Sequence, residues 1–533
     1  MKSRFILFFL FLSFIAQAQV KISVGQPYGV IDAQNKFYFN RGSEILTVKL
    51  RKREVIIQKL NSEKLAFEKI SVYRDFPEGF NLEHIVEFSD RYYIFYSLWD
   101  RKAEMEQLFY REIDFDKGTL KPDEKLLVQV HGKVSGDLIS RGWYSFSVVN
   151  KFDLEFSKND DKLLVHYRLK PQIKNDSKSY DVIGMHVFGK NLERVWDEEV
   201  TMPYTEKKMN NLDYSVDSQG NAYILTTVYN DETTNEKKRN DNQANYHIEL
   251  LRMSGKNNKI VITPVTVGSK FINKVYLFEV SDSYMICAGF YSNLPYRNAA
   301  DGIFSFKLTK EGDLVDSRNY EIPLEVLNMY ISEKAQRRNE KKEEKDKAEF
   351  EDLELRELFI DENGGVLLVG EQYYIQAHTY YNSNGSSRTY YTYHYNDLLV
   401  TKINESGQLE WMKKLPKRQT GTSGRGSMSY KHMAADGSHY FLFLDNERNL
   451  ELTPDRFPAV YRDGAEGFLT AYKVSDKSGS VDKVSITSTR DVLGLPVYQF
   501  QTSRILPIDK NSFVVEVYKK KKQDVLIRVD LGK

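Results

Sequence analysis

Eight tyrosines fall within the 23 residues Tyr373 to Tyr395, YYIQAHTYYNSNGSSRTYYTYHY. Rigidly held rings with hydroxyl handles suit stacking on sugars or anchoring a protein partner. Asn384-Gly385 is the signature of a two-residue hairpin turn. Closing the chain there pairs Ser383 with Ser386 and sets His378 opposite Tyr391, Gln376 opposite Tyr393 and Tyr374 opposite Tyr395. One face of the ribbon then carries Tyr374, Gln376, His378, Tyr380, Tyr391, Tyr393 and Tyr395, which makes it the candidate binding surface. The plainer reading is a long hairpin stabilised by cross-strand aromatic pairs, each adding about 0.2–1 kcal/mol.

Other residues that could do chemistry form no complete constellation. The nine histidines are scattered singly apart from His432 and His439, and no His-Glu-x-x-His or similar spacing fixes a metal. A Gly-x-Ser-x-Gly nucleophile elbow is absent. GTSGRGS, Gly421 to Ser427, could cradle an anion with Arg425, but it lacks the Lys-Ser/Thr ending of a phosphate loop and reads as a plain loop. DFDKGTL, Asp114 to Leu120, is too short for a calcium loop and reads as a turn. Cys287, the single cysteine, sits in the apolar run SYMICAGF and reads as a buried filler that excludes an intramolecular disulfide. No catalytic residue, metal or cofactor is assigned. Carboxylates from distant segments could still converge as glycoside hydrolysis requires, and spacing cannot reveal that.

These residues must be positioned by strands. A pattern of apolar strand, polar corner and aromatic or β-branched strand recurs as GVIDAQNKFYFN, IVEFSDRYYIFYSLW, LEFSKNDDKLLVHYRL, YSVDSQGNAYILTTVY, FEVSDSYMICAGFY, LFIDENGGVLLVGEQYY, MAADGSHYFLFLD and ILPIDKNSFVVEVYK. The aspartate anchors are Asp32, Asp90, Asp217, Asp282, Asp361, Asp436 and Asp509, at a mean spacing of about 68 residues. Asp accepts hydrogen bonds from backbone N–H groups two residues on, and Gly or Asn tolerates positive φ. A second hairpin often follows, as in GIFSFKLTKEGDLV and DLLVTKINESGQLEW. Two hairpins per unit make a four-stranded blade, and blades must stack radially to bury their faces. Tandem sandwiches would show a longer period and a repeated core tryptophan, and a β-helix a shorter period.

The expected fold is therefore all-β: one β-propeller of seven four-stranded antiparallel blades, with eight as the alternative. Strands from both chain ends should complete the closing blade and protect its edges. YSVDSQGNAYILTTV, with Asp217, Gly220, Asn221 and Tyr223, resembles the Asp-x-x-Gly-Asn-x-Tyr core of NHL-type and related seven-bladed bacterial propeller repeats. ENGGVLLVG, Glu362 to Gly370, is similar to a variant of that corner. The chain from Gln19 onward resembles large uncharacterised exported proteins of Gram-negative bacteria. The resemblance implies the fold; such families bind proteins, RNA or sugars, and some are lyases or hydrolases. SVDSQGNAY also approaches the sialidase Asp-box, itself a structural turn.

The chain ends suggest an address. Lys2 and Arg4 precede an apolar run from Phe5 to Ala16, and Ala16-Gln17-Ala18 offers a small-x-small cleavage site. Residues 1–18 read as a signal peptide and 19–533 as the propeller. No cysteine follows the run, so a lipoprotein is not expected, and no later segment reads as membrane-spanning. Cleavage moves the formal charge from +1 to −1, which gives no reason to expect nucleic acid as a partner. Residues 331–352 form an insertion with thirteen charges among the seventeen residues Glu333 to Glu349, expected as a solvated helix or a disordered arm. Asn230 to Tyr246 is a polar excursion between strands. The expected function is a non-enzymatic exported propeller that binds a glycan polymer or protein partner in the periplasm or at the cell surface. The alternatives are a carbohydrate-active hydrolase or lyase with acids at a central channel, and a scaffold subunit of an envelope assembly.

Overall fold

The computed structural model describes residues 20–532 apart from 34, 52, 141–145, 172–177, 238–242, 266–269, 282, 296–297, 345–347, 362, 382–386, 423, 425 and 455. The signal-like segment and the corner residues Asp282 and Glu362 therefore lie outside the described residues.

Corner chemistry explains how each unit begins. Asp217 Oδ1 accepts the backbone N–H groups of Gln219 (3.0 Å) and Asn221 (2.8 Å), while Oδ2 accepts from Asn221 Nδ2 (2.8 Å) and the Tyr223 hydroxyl (2.9 Å). Gly220 sits at φ +84°, a conformation that costs only glycine little. Asp361 repeats the pattern with Asn363 and Gly365, and Asp509 with Asn511. Asp90 and Asp436 serve differently: each adopts positive φ itself within a tight two-residue turn. Asp32 is no corner, because it precedes the strand Asn35–Arg41, and that unit turns at Gly42-Ser43.

Each unit is a four-stranded antiparallel meander. The first seven span residues 35–73, 81–131, 153–205, 209–265, 271–321, 353–415 and 430–488. The eighth joins three strands of residues 505–530 to the N-terminal strand Lys21–Val24, which pairs with Gln523–Asp530. Both chain ends thus share the closing blade, as expected, but the count is eight. The first repeat builds a complete blade of its own, and the last supplies three strands rather than two.

The cores show that these blades form a ring. Eight hydrophobic clusters occur among the described residues, and each draws on two successive blades. The cluster of Tyr28, Ile45, Leu60, Leu65, Val514 and Leu526 joins blade eight back to blade one. Second and third strands are buried on both sides and read as apolar runs. In Leu163–Arg168, for example, Leu163 and Val165 pack toward blade two and Leu164 toward blade four. First strands meet between blades three and four, four and five, five and six, and eight and one, so they lie on the axial side. The molecule is a closed β-propeller. Among the described residues no helix is long and apolar enough to cross a membrane.

The charged insertion takes the helical form of the two that were expected. Helices α1 (Leu324–Asn328) and α2 (Glu333–Glu343) lie between blades five and six, with Ser332 capping α2 through its side chain. Gln336 Nε2 donates to the Asn328 carbonyl (3.2 Å), and Arg338 and Lys342 both reach Glu351 (2.9 Å each). The helix is docked on the ring.

Candidate binding site

The ring has two unlike sides. Connections between first and second strands, and between third and fourth, span two to six residues and carry the corners. Every connection longer than six residues leaves the opposite side, the loop side, which includes the insertion, the tyrosine hairpin and residues 416–429, 446–467 and 489–504. Loops on a rigid scaffold are where binding surfaces concentrate.

The hairpin is the central pair of blade six drawn out beyond the ring. Its strands, Val366–Tyr381 and Ser387–Ile403, run 16 and 17 residues. A register shift between Glu371 and Tyr373 marks where ribbon leaves blade, and the junction is pinned from below. Glu371, fully buried, accepts from Lys417 Nζ (2.8 Å), Ser429 Oγ (2.9 Å) and Arg356 Nε (3.0 Å). Lys417 Nζ also donates to the Tyr395 carbonyl (2.8 Å).

The observed register differs by one residue from the one that Asn384-Gly385 implies. Tyr373 pairs with Tyr395, Tyr374 with His394, Gln376 with Thr392 and His378 with Tyr390. Alternation makes a one-residue slip exchange faces on one strand. The seven residues expected together are therefore split, with Tyr374, Gln376 and His378 on one face and Tyr391, Tyr393 and Tyr395 on the other, while the side chain of Tyr380 lies outside those described. The last described pair, Tyr381 with Ser387, encloses an odd number of residues, which a two-residue turn cannot close. Asn384 and Gly385 themselves lie outside the described residues.

Each face has its own chemistry. On the first, Tyr374 stacks on His394 with centroids 4.4 Å apart, and His378 on Tyr390 at 4.7 Å. The Thr392 hydroxyl sits between the imidazoles, 2.9 Å from His378 Nε2 and 3.1 Å from His394 Nε2. These rings largely satisfy one another. On the second face, Tyr373 and Tyr395 pack at 4.8 Å beneath the Arg356 guanidinium, while Ile375 and Tyr391 stay 51% and 52% exposed.

A groove of about 380 Å³ opens at the ribbon's base, between the hairpin and the docked insertion. Ala335 and Arg338 of α2 form one wall; Tyr374, Lys414, Arg418 and Phe457 contribute to the other. Lys414 Nζ is held by the carbonyls of Leu327 (3.2 Å) and Met329 (2.9 Å), favourable partners at the end of α1. The Arg418 guanidinium lies 4.4 Å from the centre of the Phe457 ring, and Phe457 is 53% exposed. Neither α2 nor Phe457 was identifiable from sequence as part of a site. Their signal is the hairpin's neighbourhood, which only folding creates.

The remaining candidates resolve into structure. Asp114 caps its own turn by accepting from the Lys117 backbone and ammonium. Cys287 is fully buried, and burial pushes its thiol well up. His432 Nε2 lies 3.1 Å from His439 Nδ1, and His439 Nε2 lies 2.9 Å from Asp476. In GTSGRGS, Ser427 bonds Asp463 through its backbone N–H (3.0 Å); Arg425 lies outside the described residues. Acids do gather on the innermost strands. Glu155 and Asp213 are each pushed up to about 7, chiefly by burial and then by the neighbouring carboxylates Asp153 and Glu155 respectively. Among the described residues no three His, Cys, Asp or Glu side chains are grouped to hold a metal ion.

No family model matches the chain, and no curated protein matches it. Solved structures align with it at low similarity. The polysaccharide lyase Uly1 aligns over 93% of this chain and 89% of its own, at 10% identity and a TM-score of 0.37. The WD40 domain of SCAP from fission yeast aligns over 97% and 95%, at 6% identity and a TM-score of 0.35. The GH43 endo-arabinanase from Bacillus licheniformis covers 54% of this chain over its full length, at 10% identity and a TM-score of 0.22. The neighbours are propeller or sheet-rich folds. Nothing about ligand or activity follows from likenesses this distant, and the NHL resemblance gains no support from them.

Proposed function

We propose that this chain is an exported, non-catalytic propeller that binds a glycan polymer on its loop side, at the base of the tyrosine hairpin. The observation carrying this reading is the groove in which the exposed Phe457 ring and Tyr374 face the docked insertion. Aromatic planes bordered by fixed polar groups suit a sugar, whose two faces are apolar and whose edge is hydroxylated. An open groove accepts a chain internally as well as at its ends. The second hairpin face, with Ile375 and Tyr391, lies on the other side of the ribbon from Tyr374. Export rests on the signal-like residues 1–18, with the periplasm or cell surface of a Gram-negative bacterium as destination.

A glycan array probed with wild type and with Phe457→Ala, Tyr374→Ala and Tyr391→Ala tests the reading. Loss of signal in Phe457→Ala and Tyr374→Ala, with Tyr391→Ala on the opposite face unchanged, supports it. A wild-type profile unchanged in all three variants, or no glycan retained at all, rejects it.

A further inference from the structure

One cation of the groove points to the class of sugar. Four carboxylates, Glu349, Glu351, Asp352 and Asp397, line the groove beside three cations, and two of the four are paired with basic side chains. Glu351 is taken by Arg338 and Lys342 (2.9 Å each), and Asp397 accepts from the Lys417 backbone (3.0 Å) and lies 3.3 Å from Lys414 Nζ. Among the cations lining the groove, Arg338 and Lys414 therefore have carboxylate partners, whereas Arg418 has none among the described residues. Its one hydrogen bond is a long 3.4 Å contact from Nη1 to the Pro458 carbonyl. Its plane is nevertheless held in place by the Phe457 ring. Arg418 and Tyr374 line the same groove, and the guanidinium's charge, after burial, helps lower the pKa of His394.

A pre-oriented guanidinium with an open fork, flanked by an exposed ring, is complementary to a carboxylate carried on a flat sugar. We propose that the groove is selective for uronate-containing polysaccharides, with Arg418 receiving the sugar carboxylate while Phe457 and Tyr374 bracket the ring. This rests on the groove being the glycan site. A neutral glycan would leave the Arg418 fork hydrated; a uronate replaces that water with a charge-assisted pair in a partly desolvated cleft.

Polygalacturonate and alginate, each beside its carboxyl-esterified form, can be titrated against the full chain by calorimetry at low and moderate salt. Selectivity for a free-acid polymer is expected, weakening as salt rises. Arg418→Gln should cut affinity for the acid form about tenfold or more and leave the ester form unchanged. Arg418→Lys should fall between, because an ammonium keeps the charge and loses the planar fork. Phe457→Ala should weaken both forms. Equal binding of acid and ester forms, or an Arg418→Gln variant that retains selectivity, overturns the uronate assignment. If Phe457→Ala still weakens both in that case, the groove remains the glycan site. If neither free acid binds, the uronate assignment fails, and the sensitivity of neutral-glycan binding to Phe457→Ala then decides the broader reading. Circular dichroism of each variant separates lost binding from lost folding.

Discussion

Ring closure depends on one buried carboxylate, and Glu516→Gln tests that dependence. Glu516 projects from blade eight, and both its oxygens are occupied. Oε1 accepts from Lys49 Nζ and the Tyr28 hydroxyl, and Oε2 from the Tyr38 hydroxyl, all at 2.7 Å. Lys49 and Tyr38 belong to blade one, and the Lys49 and Glu516 side chains are 0% exposed. The glutamine keeps the shape but strands a buried ammonium, which costs about 3–5 kcal/mol. Asp524 should moderate the loss. Its Oδ2 is 3.9 Å from Lys49 Nζ, and its pKa is pushed up to about 6 by burial and then by the Glu516 charge. Without that charge Asp524 ionises more readily and replaces part of the counterion.

The expected loss is therefore near the lower bound, about 3 kcal/mol, a large share of the roughly 5–15 kcal/mol that a native domain holds. Urea unfolding should show a lower midpoint with an unchanged slope. Adding Asp524→Asn should deepen the loss, whereas Asp116→Asn, opposite the exposed Arg41 at 3.5 Å, should cost no more than about 1 kcal/mol. The difference is also pH-dependent. Burial by itself would raise the Glu516 pKa, but Lys49 and Lys36 outweigh it and hold the group at about 2. A carboxylate depressed on folding adds stability above its unfolded pKa and loses it as pH falls through the folded value. The gap between wild type and Glu516→Gln should thus close between about pH 4 and 2. A loss under about 1 kcal/mol at pH 7, or no further loss in the double variant, would refute the reasoning.

Three more outcomes are expected. Asp213 is raised to about 7 by burial and by Glu155, so the folded state binds the extra proton and its contribution to stability declines as pH rises from about 4 to 7. Asp213→Asn should remove that decline, giving a stability advantage over wild type that grows across this window in pH-dependent urea titrations. Cys287, buried with a raised pKa, should ignore a thiol reagent in the native state and react stoichiometrically in denaturant. Deleting residues 20–29 removes the Lys21–Val24 and Tyr28–Gly29 pairings with the last strand and should lower the thermal midpoint by several degrees or produce dimers through the bared edge, as read by calorimetry and size-exclusion chromatography.

Local chemistry was legible in the sequence wherever a few neighbouring residues decide it. The Asp217 corner, the turn at Asp114 and the buried Cys287 follow from side chains acting within a few positions of themselves. The shared closing blade was also legible, because a lone edge strand at each end is costly. Legibility failed where the answer depends on residues far apart. Asp32 mimics a corner, yet the turn at Gly42-Ser43 defines blade one, so the number of motifs was right while their conversion into blades was not. The hairpin register was misread because Asn384-Gly385 suggests a two-residue turn, while the observed pairs require an odd connection. The groove joins Arg338, Tyr374, Arg418 and Phe457 from four separate segments, and Glu155 meets Asp213 only because first strands converge on the axis.

The pairing of Lys21–Val24 with the final strand has a consequence for biogenesis. A chain synthesised or threaded from its N-terminus presents this strand first, and its partner emerges some 500 residues later. Seven sheets can assemble in sequence, but the eighth stays unfinished until Gln523–Asp530 has emerged. Throughout that interval the flanks of the first and seventh sheets remain bare, an invitation to misassembly that a holding chaperone would have to cover. Completion is consequently a late event, and chains cut short before Gln523 should be cleared rather than accumulate.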